Sequence, residues 1–231
     1  MIGIIGAMKI EIEKIDSLIQ NKSEKQIAGT LFVSGTLNGK EIVTAVCGIG
    51  KVAAAMCAQT MIMAYSPDCI INTGVAGSLS DKAGILDTVI ADSLVEHDMD
   101  TTALGDPPGF ISGIDTVYFP ADKYVSSLLF ECASGIGGFK AITGRIASGD
   151  QFVASAEKKD KIVAQFDACA CEMEGAAIAH TCFCNRVPFG VIRAISDCAD
   201  GSSHMDYAQF LPQAAAAAAE IIRLFVEKYE K

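Results

Sequence analysis

The chain has 231 residues, of which 51% are hydrophobic and 20% charged, a balance that supports one sizeable core and excludes a disordered polymer. The formal charge is -10, and its 18 Lys and Arg are scattered against 28 acids, so no clustered basic face exists for a nucleic acid. No run approaches the roughly 20 apolar residues of a membrane span, and the opening MIGIIGAMKIEIEKI has neither a basic leader nor a small-residue cleavage site, so a soluble cytoplasmic protein with no membrane partner is expected.

Met1–Met8 is a short apolar run bounded by glycines, the pattern of a buried strand, and Glu11–Gln20 has helical periodicity. Leu31–Leu37 and Glu41–Cys47 read as strands joined by the hairpin signal Asn38-Gly39. A helix rich in Ala and Met follows over Lys51–Tyr65, then strands at Cys69–Thr73 and Thr88–Val95. Asp98–Pro120 holds three glycines and three prolines and reads as a long loop, a feature usually functional or interfacial. Beyond it come a helix at Ala121–Ala133, an extended segment at Lys140–Ala147 and a helix at Ala156–Gln165. Strands at Ala168–Cys171 and Phe189–Ile195 flank a helix at Gly175–Asn185. A last helix spans Asp206–Tyr229, which Pro212 is expected to kink or to start. Alternating strands and helices with short links predict an α/β fold: a mixed central sheet flanked by helices on both sides, in a single domain over residues 1–231.

Nine cysteines, an odd number placed mostly in apolar segments, suit reduced buried thiols in a cytosol. Cys169, Cys171, Cys182 and Cys184 lack zinc-knuckle spacing, so no metal is expected from them. His97, His180 and His204 share no ligand spacing and read as ordinary polar positions.

Ligands of α/β sheets bind beyond the carboxyl ends of strands, so what each strand exit carries matters most. Here the exits hold Gly6-Ala7-Met8 with Glu11, Gly48-Ile49-Gly50-Lys51, Thr73-Gly74-Val75-Ala76-Gly77-Ser78, Ser148-Gly149-Asp150-Gln151-Phe152, Glu172-Met173-Glu174-Gly175, and Arg193-Ala194-Ile195-Ser196-Asp197. Glycine beside a polar or acidic residue at one exit is turn chemistry; at nearly every exit it indicates a shared pocket. Gly48–Lys51 lacks the spacing and the Ser or Thr of a Walker loop, and no G-x-G-x-x-G follows the first strand. If Glu172-Met173-Glu174 is extended, both carboxylates share one face. Arg193 interrupts an apolar strand and needs a carboxylate; it either neutralises a core acid or orients a catalytic group.

The motifs GIIGAMKIE, GIGKVAAA, NTGVAGSL, SGDQF, EMEGAAIAH and VIRAISD, in this order over nearly the whole chain, resemble the 5′-methylthioadenosine/S-adenosylhomocysteine nucleosidases of the nucleoside phosphorylase-like superfamily. The resemblance implies a three-layer fold, N-glycosidic hydrolysis of an adenine nucleoside and no cofactor or metal. It implies that Glu11 activates water and Asp197 protonates the purine N7. It places Met173 and Glu174 at the ribose, Arg193 near the water and Glu11, Phe152 on the adenine face, and Val153 at its edge. Met8, Ile49, Val75, Ala76, Gly77, Glu172 and Ser196 fall at further substrate-binding positions, and Tyr207 beside the sugar. It also implies a homodimer in which Thr101, Leu104 and the turn Pro107-Pro108 of one subunit complete the other's 5′-substituent pocket. Two departures stand out. Val75 replaces a serine found in some members, and Leu104 a phenylalanine, which leaves the ranking of 5′-substituents open.

The chemistry explains the residue types. Adenine leaves readily only as a neutral base, which requires an acid whose proton survives at neutral pH, as burial allows. A carboxylate beside the sugar favours the oxocarbenium-like charge, and a second one takes the proton of the attacking water. A phosphorylase would need Arg or Lys around phosphate. Gly3–Met8 has no arginine and Thr73–Ser78 neither cation, so water is favoured, with Lys51 and Arg193 the groups that keep phosphate in view. A non-catalytic nucleoside sensor would have no need of Glu11, Glu174 and Asp197.

Overall fold

The computed structural model describes residues 1–199 and 203–230, without the side chains of 203–209. Among the described residues ten strands and six α-helices run, in chain order, β1 (Ile2–Gly6), α1 (Lys9–Leu18), β2 (Gln20–Ile27), β3 (Thr30–Leu37), β4 (Lys40–Val46), α2 (Lys51–Tyr65), β5 (Cys69–Ser78), β6 (Thr88–Glu96), β7 (Phe119–Pro120), α3 (Lys123–Ser134), β8 (Ala141–Ser148), α4 (Ala156–Phe166), β9 (Ala170–Glu172), α5 (Gly175–Asn185), β10 (Phe189–Asp197) and α6 (Ser203–Lys228). The expected α/β fold with a mixed sheet is what forms.

The sheet does more than lie flat between helices. β5 pairs in parallel with β1 and β10, and antiparallel with β9. β10 pairs antiparallel with β6, which runs parallel to β8, and β8 parallel to β9. The ring β5-β10-β6-β8-β9 therefore closes on itself, and β1-β4-β3-β2 extends from it as an open wing. Closure protects the inner strand edges and brings the exits of distant strands together.

Two apolar layers hold the helices on opposite sides. On one side Cys57, Ala58 and Met61 of α2 and Ala176–Ala179 of α5 pack under Ile5, Ile70 and Val191. On the other, Ile12 and Ile15 of α1, Leu129 of α3 and Ile222 and Phe225 of α6 cover Ile4, Ile71 and Ile192. Small side chains on α2 and α5 leave little volume between backbone and sheet.

Several expectations need correction. The strand β2 was not expected, because QNKSEKQI is exposed on both faces and carries no period-two apolar signal; its order comes from pairing with β3 alone. β5 runs on through Gly74 and Gly77 to Ser78. β9 starts two residues later than expected, at Ala170. α6 continues through Pro212, so that proline does not start a helix. The segment Glu172-Met173-Glu174 is not extended throughout: β9 ends at Glu172, and Glu174 is the residue that caps α5.

Candidate active site

A cavity of about 290 Å³ opens where the six strand exits meet. The expected residues Met8, Glu11, Ile49, Val75, Ala76, Gly77, Phe152, Val153, Glu172, Met173, Glu174, Ser196 and Asp197 all line it. Ala7, Gln151 and Cys171 line it as well. Ala7 and Gln151 stand in the strand exits expected to share a pocket but carried no assigned role, and Cys171 was read only as a buried thiol; each adjoins a residue expected at the site. No Lys or Arg lines this cavity among the described residues.

Glu11 is the third residue of α1, and the tight turn out of β1 lets its carboxylate fold back over the helix start. One oxygen accepts the N–H groups of Ala7 at 2.8 Å and Met8 at 2.9 Å, and the other that of Val75 at 3.3 Å. Gly74 makes this possible: a Cβ there would stand 2.7 Å from Glu11 Oε1. Burial raises the Glu11 carboxyl above its ordinary range, against the pull of Arg193 and the three N–H groups. Such a group is a stronger base than a free carboxylate and is fixed in direction.

Asp197 ends β10 and is 2% exposed. Its Oδ1 accepts the Ala199 N–H at 2.9 Å, and the Ser196 hydroxyl donates to Oδ2 at 3.0 Å. Gly77, on the facing strand, leaves the approach open, since a Cβ there would come within 2.9 Å of Oδ1.

Glu174 receives the Gly50 N–H at 2.8 Å. Burial, with the neighbouring Glu172 charge adding to it, pushes its carboxyl up to about 7, although Arg193 and the Gly50 N–H pull the other way. Glu172 is spent inside the protein. Its Oε2 accepts the N–H groups of Glu174 at 3.1 Å and Gly175 at 2.8 Å, where the α5 dipole favours an anion, and it pairs with Arg193. Ser148 donates to its other oxygen and accepts the Ala176 N–H at 2.6 Å.

Arg193, 1% exposed, does not border the cavity, contrary to the expectation of a substrate-binding group. Its donors go to Glu172, to Asn72 Oδ1 and to the Ile192 carbonyl. From behind the wall its charge still acts on Glu11 and Glu174. Lys51 is likewise committed, donating to Glu96 at 2.9 Å and Asp98 at 2.7 Å. Thr101 and Leu104 also lie outside the cavity: Thr101 donates to Asp106 at 2.8 Å, and Leu104 is 83% exposed. The Tyr207 and His204 side chains lie outside the described residues.

The chain with this cavity, its wall of buried acids and its partly closed mixed sheet matches the family profile of the Phosphorylase superfamily over residues 1–227. A 5′-methylthioadenosine/S-adenosylhomocysteine nucleosidase of Shewanella sp. (strain MR-7) is 38% identical over 230 residues, covering 99% of this chain and 97% of that protein. The same enzyme from Neisseria meningitidis, solved with methylthio-immucillin-A, superposes with a TM-score of 0.95 at 36% identity, covering 99% of both chains. A futalosine hydrolase of Helicobacter pylori strain 26695 superposes at 0.94 with 37% identity, covering 99% of this chain and 97% of that one. The chain belongs to the phosphorylase superfamily and, within it, to the 5′-methylthioadenosine/S-adenosylhomocysteine nucleosidase family.

Proposed function

We propose that the chain hydrolyses the N-glycosidic bond of 5′-methylthioadenosine and S-adenosylhomocysteine, and of 5′-deoxyadenosine, to adenine and the 5′-substituted ribose, as one domain without a cofactor. The reaction serves methionine salvage and removes inhibitory products of methyl transfer. In this reading Asp197 gives a proton to N7 as the bond breaks, Glu174 holds the ribose and favours its developing positive charge, and Glu11 takes a proton from the water that adds to the anomeric carbon. Phe152 stacks on adenine, and the Val153 backbone reads its edge. The observation that carries the choice of water over phosphate is the cavity wall itself. It holds four carboxylates and no cation among the described residues, and both cations near it are taken, Lys51 by Glu96 and Asp98, Arg193 by Glu172. A phosphate dianion would meet repulsion there, whereas a cationic sugar would be favoured. Purified protein in phosphate-free buffer is expected to release adenine from methylthioadenosine with free methylthioribose as the other product. Cleavage that requires phosphate and yields a sugar phosphate would overturn the assignment.

The working form is proposed to be a homodimer joined through α2 and α5, with the Thr101–Pro108 loop of each subunit closing the other's pocket. Val52, Met56 and Phe183 are exposed on those helices, at 71%, 55% and 42%, and Leu104 stands out on its loop. Light scattering is expected to give twice the chain mass, and Leu104→Asp to raise KM for methylthioadenosine with kcat little changed. A monomer with full activity would end this part of the reading. No helix among the described residues is long and apolar enough to cross a membrane. Cys47, Cys57, Cys69, Cys132, Cys169, Cys171, Cys182 and Cys184 form no disulfide, which suits the proposed cytoplasmic location, and cell fractionation checks it.

A further inference from the structure

Lys51 poses a problem that the reaction does not explain. It is the first residue of α2, and a cation in a helix's first turn opposes the helix dipole. Its side chain is largely shielded, and its ammonium turns toward Glu96 and Asp98. His180 Nδ1 meets the other oxygen of Glu96 at 2.9 Å. Burial alone would raise both acids; the His180 and Lys51 contacts at Glu96, and the Lys51 and Asp150 N–H bonds at Asp98, outweigh it and hold both low. Lys51, Glu96 and Asp98 thus stabilise one another's charges.

The set closes into a ring of hydrogen bonds. Lys51 Nζ donates to Asp98 Oδ1, the Asp150 N–H donates to Asp98 Oδ2 at 2.9 Å, and the Lys51 N–H donates to Asp150 Oδ1 at 2.7 Å. Three segments far apart in sequence are thereby tied: the start of α2, the exit of β6 and the exit of β8. Each end of the ring continues into the cavity wall. One residue before Lys51, the Gly50 N–H holds Glu174, and Ile49 lines the cavity. One and two residues after Asp150, Gln151 and Phe152 line it.

We infer that Lys51, through the ring with Asp98 and Asp150, is a positioning residue that sets the distance between the ribose-side and purine-side walls of the pocket. This inference rests on the nucleosidase reading of the site. The ring touches no reacting atom. It keeps the Gly50 N–H on Glu174 and keeps the Phe152 segment in register with it. Misplacing either wall weakens the ground-state complex and the transition state together. A residue needed only for folding behaves differently: its loss lowers the fraction of active protein, so kcat falls and KM stays.

The test uses Asp98→Asn, Lys51→Met and Lys51→Arg in the full-length protein. Asp98→Asn is nearly isosteric, yet its amide cannot accept both ring donors, so it opens the ring with little disturbance of packing. Adenine release is measured for kcat and KM, calorimetry gives the Kd of methylthio-immucillin-A, and thermal melting checks folding. Expected are folded Asp98→Asn and Lys51→Met proteins in which KM and Kd rise together while kcat falls, kcat/KM dropping on the order of 10²-fold. Lys51→Arg, which restores the cation, is expected to recover most of the loss. The inference is overturned if Asp98→Asn is kinetically normal, if kcat falls with KM and Kd unchanged, or if Lys51→Arg is as impaired as Lys51→Met. A wild-type protein that binds the inhibitor but releases no adenine would defeat the proposed function instead, and the Kd comparison would still decide the role of the ring.

Discussion

Asp197→Asn is expected to lose at least ~10²-fold in kcat while melting near the wild-type temperature. The structure accounts for both halves of that result. An asparagine Oδ1 still accepts the Ala199 N–H, and the Ser196 hydroxyl, now a donor to Oδ2, can rotate to accept from the amide that replaces it. No buried polar group is left unpaired, so stability is little changed. What disappears is the group proposed to hand a proton to N7. Adenine then departs with its charge unneutralised, and that cost falls on the transition state, so kcat drops and KM moves little. A 4-nitrophenyl 5-methylthioriboside sharpens the test. Its leaving group is a stabilised anion needing no proton, so the same substitution should cost it far less. Near-normal adenine release by the variant, or an equal loss with both substrates, would remove Asp197 from the role of acid.

How much of this was legible beforehand depended on whether a residue's partner was near it in sequence. The apolar runs of β1 and of β10, the latter broken by Arg193, and the small-residue helices α2 and α5 carried their own signals, and the structure has them at or close to the expected bounds. β2 carried none, because its partner β3 supplies the order. The extension of β5 through Gly74 and Gly77 was hidden by the glycines, which read locally as a turn. In three dimensions they are absent side chains that make room for Glu11 and Asp197. Arg193 could be assigned a carboxylate partner but not which one; Glu172 lies 21 residues away and reaches it only through the closure of the ring of strands. The extended reading of Glu172-Met173-Glu174, with both carboxylates on one face, failed for a related reason. β9 ends at Glu172, so that acid is taken up by Arg193 and the N–H groups that start α5, while the Glu174 carboxylate accepts only the Gly50 N–H among the described residues.

The division of labour between the acids leads to a second large effect. Glu11→Gln should cost ~10²–10⁴-fold in kcat, because an amide cannot take the proton of the attacking water. The glutamine oxygen can keep the Ala7 and Met8 N–H groups, so the turn out of β1 survives; its amide then faces the Val75 N–H, a mild donor–donor conflict. The pH profile carries the more exacting test. Burial holds Glu11 above its ordinary value of 4.5, and Glu174 rises to about 7. In the proposed mechanism both must be ionised to act, one as base and the other beside the cationic sugar. Activity is therefore present above these values and falls as pH falls through them. With two deprotonations required, log kcat/KM on the acid side should steepen toward a slope of two as both groups protonate, the apparent values belonging to the coupled set. Removing the Glu11 ionisation should leave a slope of one in Glu11→Gln, governed by Glu174. If the variant keeps the steep limb, Glu11 is not the base, and the water must be activated by another group on the same wall.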